Sequence, residues 1–415
     1  MDSELLMKQL EGNGIEVRHN SNEPGAETVI INTCGFIRYA KHESIEVILY
    51  YVREKELGKI GKVYVIGCLT ERYKDELSIE IQGVDQFFGV KNLKEILKTL
   101  GAVYKKELIG KRILSTPHHY AYMKISEGCD RTCSFCAIPL IKGPHHSRPV
   151  KEIMKEAENL ASQGVKELIL IAQDLTYYGV DTYKKANLAY LLEQLSAIRE
   201  FEWIRLHYVY PANFPTDIIP LIKERKNICR YIDIPFQHIN DRILKIMRRG
   251  IEKEEILGLI RYFRKEIPEM AIRTTLLVGH PGESKRNFEE LKQFVKEVEF
   301  DRLGIFTYSH EENTHSYSRY KDDIPEKIKQ ERADEIMHIQ EQVSNRLNKN
   351  KVGKVFKVII DREEHKFMVG RTEYDSPEID NEVLVRKDQK TTRPGEFYNV
   401  KITNSESFDL FGKIV

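Results

Sequence analysis

Cys129, Cys133 and Cys136 occupy one short stretch, Gly128-Cys129-Asp130-Arg131-Thr132-Cys133-Ser134-Phe135-Cys136, with C-x3-C-x2-C spacing. Three thiolates on one loop hold three corners of a four-iron cluster and leave the fourth iron open to a small molecule. Zinc is the competing reading, because soft thiolates suit it as well. A structural zinc site closes with four ligands, and His118, His119, His145 or His146 could supply the fourth. Phe135, directly before the third cysteine, can lie against a flat ring such as adenine, although an aromatic beside cysteines more often simply packs.

Two further cysteines follow short apolar runs that read as strands, at 28–32 and 62–66. Cys34 stands in Asn32-Thr33-Cys34-Gly35 and Cys68 in Gly67-Cys68-Leu69, so both fall at carboxyl ends of strands, where open α/β sheets keep their sites. A lone cysteine is usually a small buried hydrophobe. Two at equivalent strand ends, each beside glycine, point to metal ligation. Cys229, between Ile228 and Arg230, has no such partner and reads as core.

The elements that must position these residues divide the chain in three. Residues 1–103 alternate strand and helix patterns, as in a parallel α/β domain. Residues 104–120 read as a linker and lead-in. A second domain, 115–345, repeats a βα rhythm about six times, with strands at 120–125, 167–174, 203–209, 231–235, 272–279 and 303–309, which suggests an incomplete barrel with its site at the strands' carboxyl ends. Its expected rim carries Gln173-Asp174, His207-Tyr208, Gln237-His238 and Gly279-His280-Pro281-Gly282-Glu283, where Gly279 and Gly282 would let a ligand approach the backbone. After a charged helix, residues 348–415 switch to period two in five short strands, a small antiparallel barrel. Lys and Arg number 65 against 64 Asp and Glu, so composition gives no general pull toward nucleic acid. No apolar run reaches the roughly 18 residues that span a bilayer. A reducing, cytoplasmic location is expected from six cysteines at metal-like rather than disulfide spacing.

The run from Gly128 to Pro139, with its C-x3-C-x-aromatic-C core, resembles the radical S-adenosylmethionine enzymes, in their methylthiotransferase branch. The resemblance covers the whole chain: an N-terminal methylthiotransferase domain, a partial (β/α)6 barrel and a C-terminal TRAM-like barrel. It implies a 4Fe–4S cluster on Cys129, Cys133 and Cys136. Its open iron would chelate S-adenosylmethionine, and reductive cleavage would yield a 5′-deoxyadenosyl radical. Phe135, Gln173, Asp174, Gly279, Gly282 and Glu283 become candidate contacts to that cofactor. A second 4Fe–4S cluster, carrying the sulfur to be delivered, would use Cys34, Cys68 and a third cysteine. In the family that cysteine lies in Gly-Cys-x-Lys-Asn-x-Val-Asp-Ser-Glu, and this chain opens at Met1-Asp2-Ser3-Glu4, the tail of the motif. The third cysteine is therefore expected just upstream of Met1, lost to a late start or a truncation. The second cluster is then one protein ligand short.

Within the family, residues 231–238, Asp301-Arg302-Leu303-Gly304, the stretch 308–314 and Asp375-Ser376-Pro377-Glu378-Ile379-Asp380 resemble the branch that modifies an aspartate β-carbon of ribosomal protein S12. The tRNA-adenosine branch usually has Gln-Ser-Gly where this chain has Gln237-His238-Ile239, and a more basic C-terminal barrel. Asp375, Glu378, Asp380 and Glu382 make this barrel partly acidic, which suits a basic ribosomal protein. The implied partners are S12, an electron donor and a sulfur source, with no membrane. A tRNA substrate is the alternative, and a non-catalytic iron–sulfur or zinc RNA-binding adaptor is the second.

Overall fold

Residues 1–21, 26–387 and 392–415 are described by the structure, a computed structural model. The N-terminal domain runs α1 (Asp2–Gly12), β1 (Thr28–Thr33), α2 (Arg38–Glu56), β2 (Lys62–Gly67), α3 (Cys68–Glu80), β3 (Gln86–Phe88) and α4 (Leu93–Thr99). The three strands pair in parallel in the order β1-β2-β3, with Thr33 opposite Gly67. Alternation along β2 explains the layering. Val63 and Val65 join Ile48, Val52 and Leu77 on one face, while Tyr64 and Ile66 join Leu6, Leu10 and Leu97 on the other.

The stretch after this domain is not a loose linker. Arg112 is buried, with Glu4 at 3.0 Å and Glu156 at 3.4 Å, and the Ser115 amide donates to Glu4 at 2.8 Å. Lysine-rich composition suggested a tether. The partners that weld it down are remote in the chain.

The middle domain begins with β4 (Tyr120–Lys124) and a two-residue ladder between β5 (Ser126–Glu127) and β6 (His146–Ser147), with α5 (Ile138–Lys142) between them. It continues α6 (Val150–Ser162), β7 (Glu167–Ile171), α7 (Val180–Tyr183), α8 (Leu188–Ser196), β8 (Trp203–Leu206), α9 (Ile218–Glu224), β9 (Tyr231–Asp233), α10 (Asp241–Ile246), α11 (Lys253–Glu266), β10 (Ala271–Val278), α12 (Lys285–Val298), β11 (Arg302–Thr307), α13 (His315–Arg319) and α14 (Glu326–Lys349). The six main strands form two parallel triplets, β4-β7-β8 and β11-β10-β9. These meet through an Ile204–Ile228 bridge and the Val209 amide donating to the Asp233 carbonyl at 2.9 Å. The partial barrel is thus open between β4 and β11, and one contiguous core lies under its helices.

The C-terminal strands are β12 (Val355–Glu364), β13 (Phe367–Thr372), β14 (Val383–Arg386), β15 (Phe397–Ser405) and β16 (Leu410–Ile414). They close in the order β12-β13-β14-β16-β15, and β14 pairs with β16 in parallel. The barrel is therefore not wholly antiparallel. An odd ring cannot alternate direction all the way round, so at least one neighbouring pair has to run parallel.

Two of the four acids after β13, Asp375 and Asp380, are internal, while Glu378 and Glu382 keep exposed surface, so the acidic character reaches the surface only in part. Arg302 pairs with buried Asp375, Arg273 lies 3.3 Å from Asp380, and the Tyr231 hydroxyl donates to Asp380 at 2.7 Å. Tyr120 donates to Glu378 at 2.8 Å, and Ser376 Oγ lies 2.8 Å from His207 Nε2. Glu382 pairs with Arg362 at 2.6 Å. Tyr120, Tyr231 and Arg302 open their strands, so this loop stoppers the amino-terminal mouth of the partial barrel.

Candidate functional site

The cysteine loop leaves β5 and returns through α5 to β6, so the short ladder closes its base. Inside it the Cys129 amide donates to the Gly143 carbonyl at 3.1 Å, and the Ser134 amide to the Met247 carbonyl at 2.9 Å. Each thiol meets a donor. The Arg131 amide is directed at the Cys129 sulfur and the Ile138 amide at Cys136. Arg249 Nη1 lies 3.2 Å from Cys133 Sγ. Tyr210 is held between two guanidiniums, Arg131 at 4.2 Å and Arg249 at 4.4 Å from its ring, with its hydroxyl 3.6 Å from Cys133 Sγ.

Burial pushes the Cys129 thiol up to about 11 and Cys136 to about 12, each against the amide aimed at its sulfur and with the neighbouring cysteines adding to the rise. Such thiols stay protonated near neutral pH until a metal displaces the proton. N–H donors and a cation around the sulfurs are what a cluster's accumulated negative charge requires, so this donor set fits the iron–sulfur group. Two of the candidate zinc histidines are committed elsewhere, His119 to Asp361 at 2.8 Å and His145 to Ser147 at 3.0 Å, while His118 and His146 are exposed, His118 near Gly395 and His146 3.8 Å from Asp181. Among the described residues, no three His, Cys, Asp or Glu side chains form a ready single-ion cage.

Cys34 and Cys68 come together because two glycines let their loops touch. A Cβ on Gly35 would lie 2.6 Å from the Cys68 backbone, and one on Gly67 would meet the Thr33 carbonyl at 2.5 Å. The Gly35 amide is directed at the Cys68 sulfur. Burial raises the Cys68 thiol, and Lys142 from α5 opposes it. Lys142 Nζ sits 2.7 Å from Glu127, so the helix that follows Cys136 also reaches the second cysteine site.

The expected rim residues divide. Gln173 Oε1 is buried and has no hydrogen-bond partner. Phe135 is half-buried against Ile243, Met247 and Tyr308, with His280 edge-on at 6.4 Å. Asp174 serves the loop instead, accepting from Arg131 Nε at 2.8 Å and the Thr176 amide at 2.9 Å. Glu283 folds back on the Gly279 amide beside Arg332 at 3.2 Å, and burial pushes its carboxyl up to about 7. A Cβ on Gly279 would meet the Lys329 side chain at 2.3 Å, so that side of the glycine is filled by α14. Gly282 turns with φ 85° under Ile246 and Arg242. His207 and His238 also point inward, His238 Nδ1 accepting from the Ile239 and Asn240 amides at 2.9 Å each.

Sequence reasoning missed Arg131, Tyr210, Arg249 and Lys142. Arg131 stands inside the cysteine loop and could have been flagged by adjacency. Arg249 and Tyr210 carried no local signal. Cys229 lies as read from sequence, buried with Trp203, Tyr231, Ala271 and Ile359. Cys229→Ala is expected to leave iron content unchanged, and a loss of about four irons per chain would move it into a cluster.

Family matches divide the chain as the folds do. The radical SAM superfamily matches residues 123–295, the TRAM domain 352–415, and Uncharacterized protein family UPF0004 residues 1–89. Ribosomal protein uS12 methylthiotransferase RimO of Flavobacterium johnsoniae is 56% identical over 413 residues, covering 99% of this chain and 94% of that protein. The protein of the same name from Cytophaga hutchinsonii is 54% identical, covering 100% and 95%. Among solved structures, the radical S-adenosylmethionine methyltransferase TsrM from Kitasatospora setae, with cobalamin and a 4Fe–4S cluster bound, matches with TM-score 0.54 at 17% identity, covering 74% of this chain and 71% of that one. The last likeness concerns the fold alone.

Proposed function

The chain belongs to the ribosomal protein uS12 methylthiotransferases, and from that premise we propose which of its own residues carry the reaction. It is a radical S-adenosylmethionine enzyme that adds a methylthio group to an aspartate of ribosomal protein S12. Cys129, Cys133 and Cys136 would hold the cluster at which S-adenosylmethionine binds. When bound, that cluster and cofactor supply one-electron cleavage of the sulfonium and a 5′-deoxyadenosyl radical able to take an unactivated hydrogen. Arg249 balances charge at Cys133 and, with Arg131, clamps Tyr210 against the loop. Gln173, with its unpartnered acceptor, is the rim residue best placed to receive a cofactor donor. Phe135 offers a half-exposed ring near His280 and Tyr308. A β-carbon C–H has no acidity for a general base to exploit, so no acid–base pair is assigned.

Cys34 and Cys68 are assigned to a second cluster that carries the sulfur, with Lys142 as the cation beside it. An external electron donor and sulfur source complete the set. The single observation that carries this reading is the pairing of two separate cysteine sites across α5. The choice of protein over tRNA rests on the relatives, because Asp375 and Asp380 are tied up in internal ion pairs. Among the described residues, no helix is long and apolar enough to cross a membrane.

The deciding experiment is anaerobic incubation of iron-reconstituted protein with S12, S-adenosylmethionine and reductant. 5′-Deoxyadenosine is expected, and methylthiolated S12 with it wherever the second cluster is loaded. One bound zinc with no cleavage would overturn the assignment. The two sites separate by mutation: Cys34→Ala or Cys68→Ala should keep 5′-deoxyadenosine formation and lose methylthio transfer. A Cys68→Ala protein that still transfers at the wild-type rate would remove the second site from the mechanism.

A further inference from the structure

Residues 309–316 join the two cysteine sites, and no step above uses them. Glu311, 4% exposed in the turn after β11, reaches across to the N-terminal domain. Its Oε2 accepts from Lys41 Nζ at 2.8 Å and from Arg72 Nη1 at 3.0 Å. Arg72 Nη1 also donates to the Gly35 carbonyl at 2.8 Å, and Nη2 to the Glu312 carbonyl at 3.1 Å. Gly35 is the residue after Cys34, and its amide is the one directed at Cys68. The other Glu311 oxygen accepts from Ser309 Oγ at 2.7 Å, so the carboxylate is fully engaged.

Five positions later the same segment touches the central loop. The Ser316 amide donates to the Ser134 carbonyl at 2.7 Å, and the two hydroxyl oxygens lie 2.9 Å apart. His280 Nε2 lies 3.0 Å from Ser316 Oγ, and its Nδ1 is 3.0 Å from the Pro281 carbonyl, which makes Nδ1 the donor and Nε2 an acceptor. Ser134 stands between Cys133 and Cys136. The intervening chain is not slack: Thr314 Oγ1 donates to the Glu311 carbonyl at 2.7 Å and accepts from the Tyr317 amide at 3.2 Å, capping α13. Five residues span at most about 18 Å when fully extended, and a turn followed by a helix start spans less.

We infer that residues 311–316 are a spacer that holds the two cysteine sites at a set separation, with Glu311 as its positioning residue. The inference rests on the two-site reading above. Neither Glu311 nor Ser316 is aimed at a thiol, so neither acts in the cleavage itself. Both govern whether a group held at Cys34 and Cys68 lies within reach of a substrate activated at the central loop. A misplacement of about 1 Å costs roughly a hundredfold in an oriented reaction, so a loosened spacer affects transfer much more than cleavage.

The test compares the full chain with its Glu311→Gln and Lys41→Met variants, Lys41→Met removing only one of the two cations. Hydrogen exchange of the proteins at rest reads the clamp without turnover, and iron content, 5′-deoxyadenosine and methylthiolated S12 read its consequence. In Glu311→Gln, amides at 35–44 and 311–318 should exchange faster, iron and 5′-deoxyadenosine should hold, and methylthio product per 5′-deoxyadenosine should fall about a hundredfold. Lys41→Met should move both readouts in the same direction by less, and Glu311→Asp, which keeps the charge, should recover part of the ratio. Products that fall in equal proportion, or an unchanged ratio, overturn the spacer. A wild-type chain with both clusters loaded that cleaves the cofactor yet never modifies S12 would count against the function instead. The spacer would then stand or fall on exchange alone, unchanged protection at 35–44 in Glu311→Gln overturning it.

Discussion

Cys136→Ala is expected to abolish 5′-deoxyadenosine formation and to cost about four irons per chain, while the protein stays folded. The loop's path has supports that do not involve the Cys136 side chain. The β5–β6 ladder, the Cys129 amide on Gly143 and the Ser134 amide on Met247 all persist without the Cys136 sulfur. What disappears is a thiol that Cys129 and Cys133, already in use, do not replace, and His145 is engaged with Ser147. Iron analysis, circular dichroism and cofactor cleavage on one preparation check the three parts. Wild-type cleavage by the Cys136→Ala protein would refute the ligand assignment. The same change at Cys229 serves as the control, because that thiol is core.

Glu167→Ala is expected to destabilise the junction between the middle and C-terminal domains by about 3–5 kcal/mol, since it strands buried charge. Glu167 is fully buried, with Arg205 Nε at 2.8 Å and Arg371 Nη2 in contact. Arg371 also holds Asp361 at 2.9 Å, and Arg205 lies over the Tyr231 ring at 4.7 Å. Without the carboxylate two guanidiniums face each other with too little compensating charge. The chain's single tryptophan, Trp203, packs edge-on to Phe397 of the C-terminal barrel at 4.8 Å, so its fluorescence during urea unfolding reports this junction.

The same residue gives the junction a pH dependence of defined sign. Burial pushes the Glu167 carboxyl up, but Arg371 and Arg205 outweigh it and leave it below its usual range. Asp375, opposed by burial and held down by Arg302, behaves alike. A depressed folded-state value means that this stabilisation is complete above the unfolded carboxylate pKa of about 4 and is lost as pH falls through the lower folded value. The wild-type urea midpoint should therefore drop below about pH 4 more steeply than that of Glu167→Ala. Parallel curves would show that the pair contributes no linkage.

Most elements were legible because their signals are local. The Val-Ile-Ile run of β1, the alternation along β2 and the apolar face of α6 each follow from burying one side of a short segment. The β5–β6 ladder was not legible, since two residues per strand make no pattern. Residues 104–120 misled because their lysines describe a surface, while Arg112 and Ser115, both held by Glu4, fix the path. Asp375 and Asp380 misled for the opposite reason: charge in a sequence carries no sign of burial until its partners, Arg302 and Arg273, are known.

The sequence by itself determined that three thiols meet in the central loop, because within eight residues they are brought together by chain connectivity alone. It also placed Cys34 and Cys68 at strand ends, since parallel pairing of two similar strands sets those ends side by side. Only the tertiary structure decided what surrounds the sulfurs and what joins the sites. Arg249 comes to Cys133 from 116 residues away, and Glu311 to Lys41 from 270. At such separations no local periodicity survives, and only the folded barrel, whose successive strands deliver their ends to one rim, brings the partners into reach.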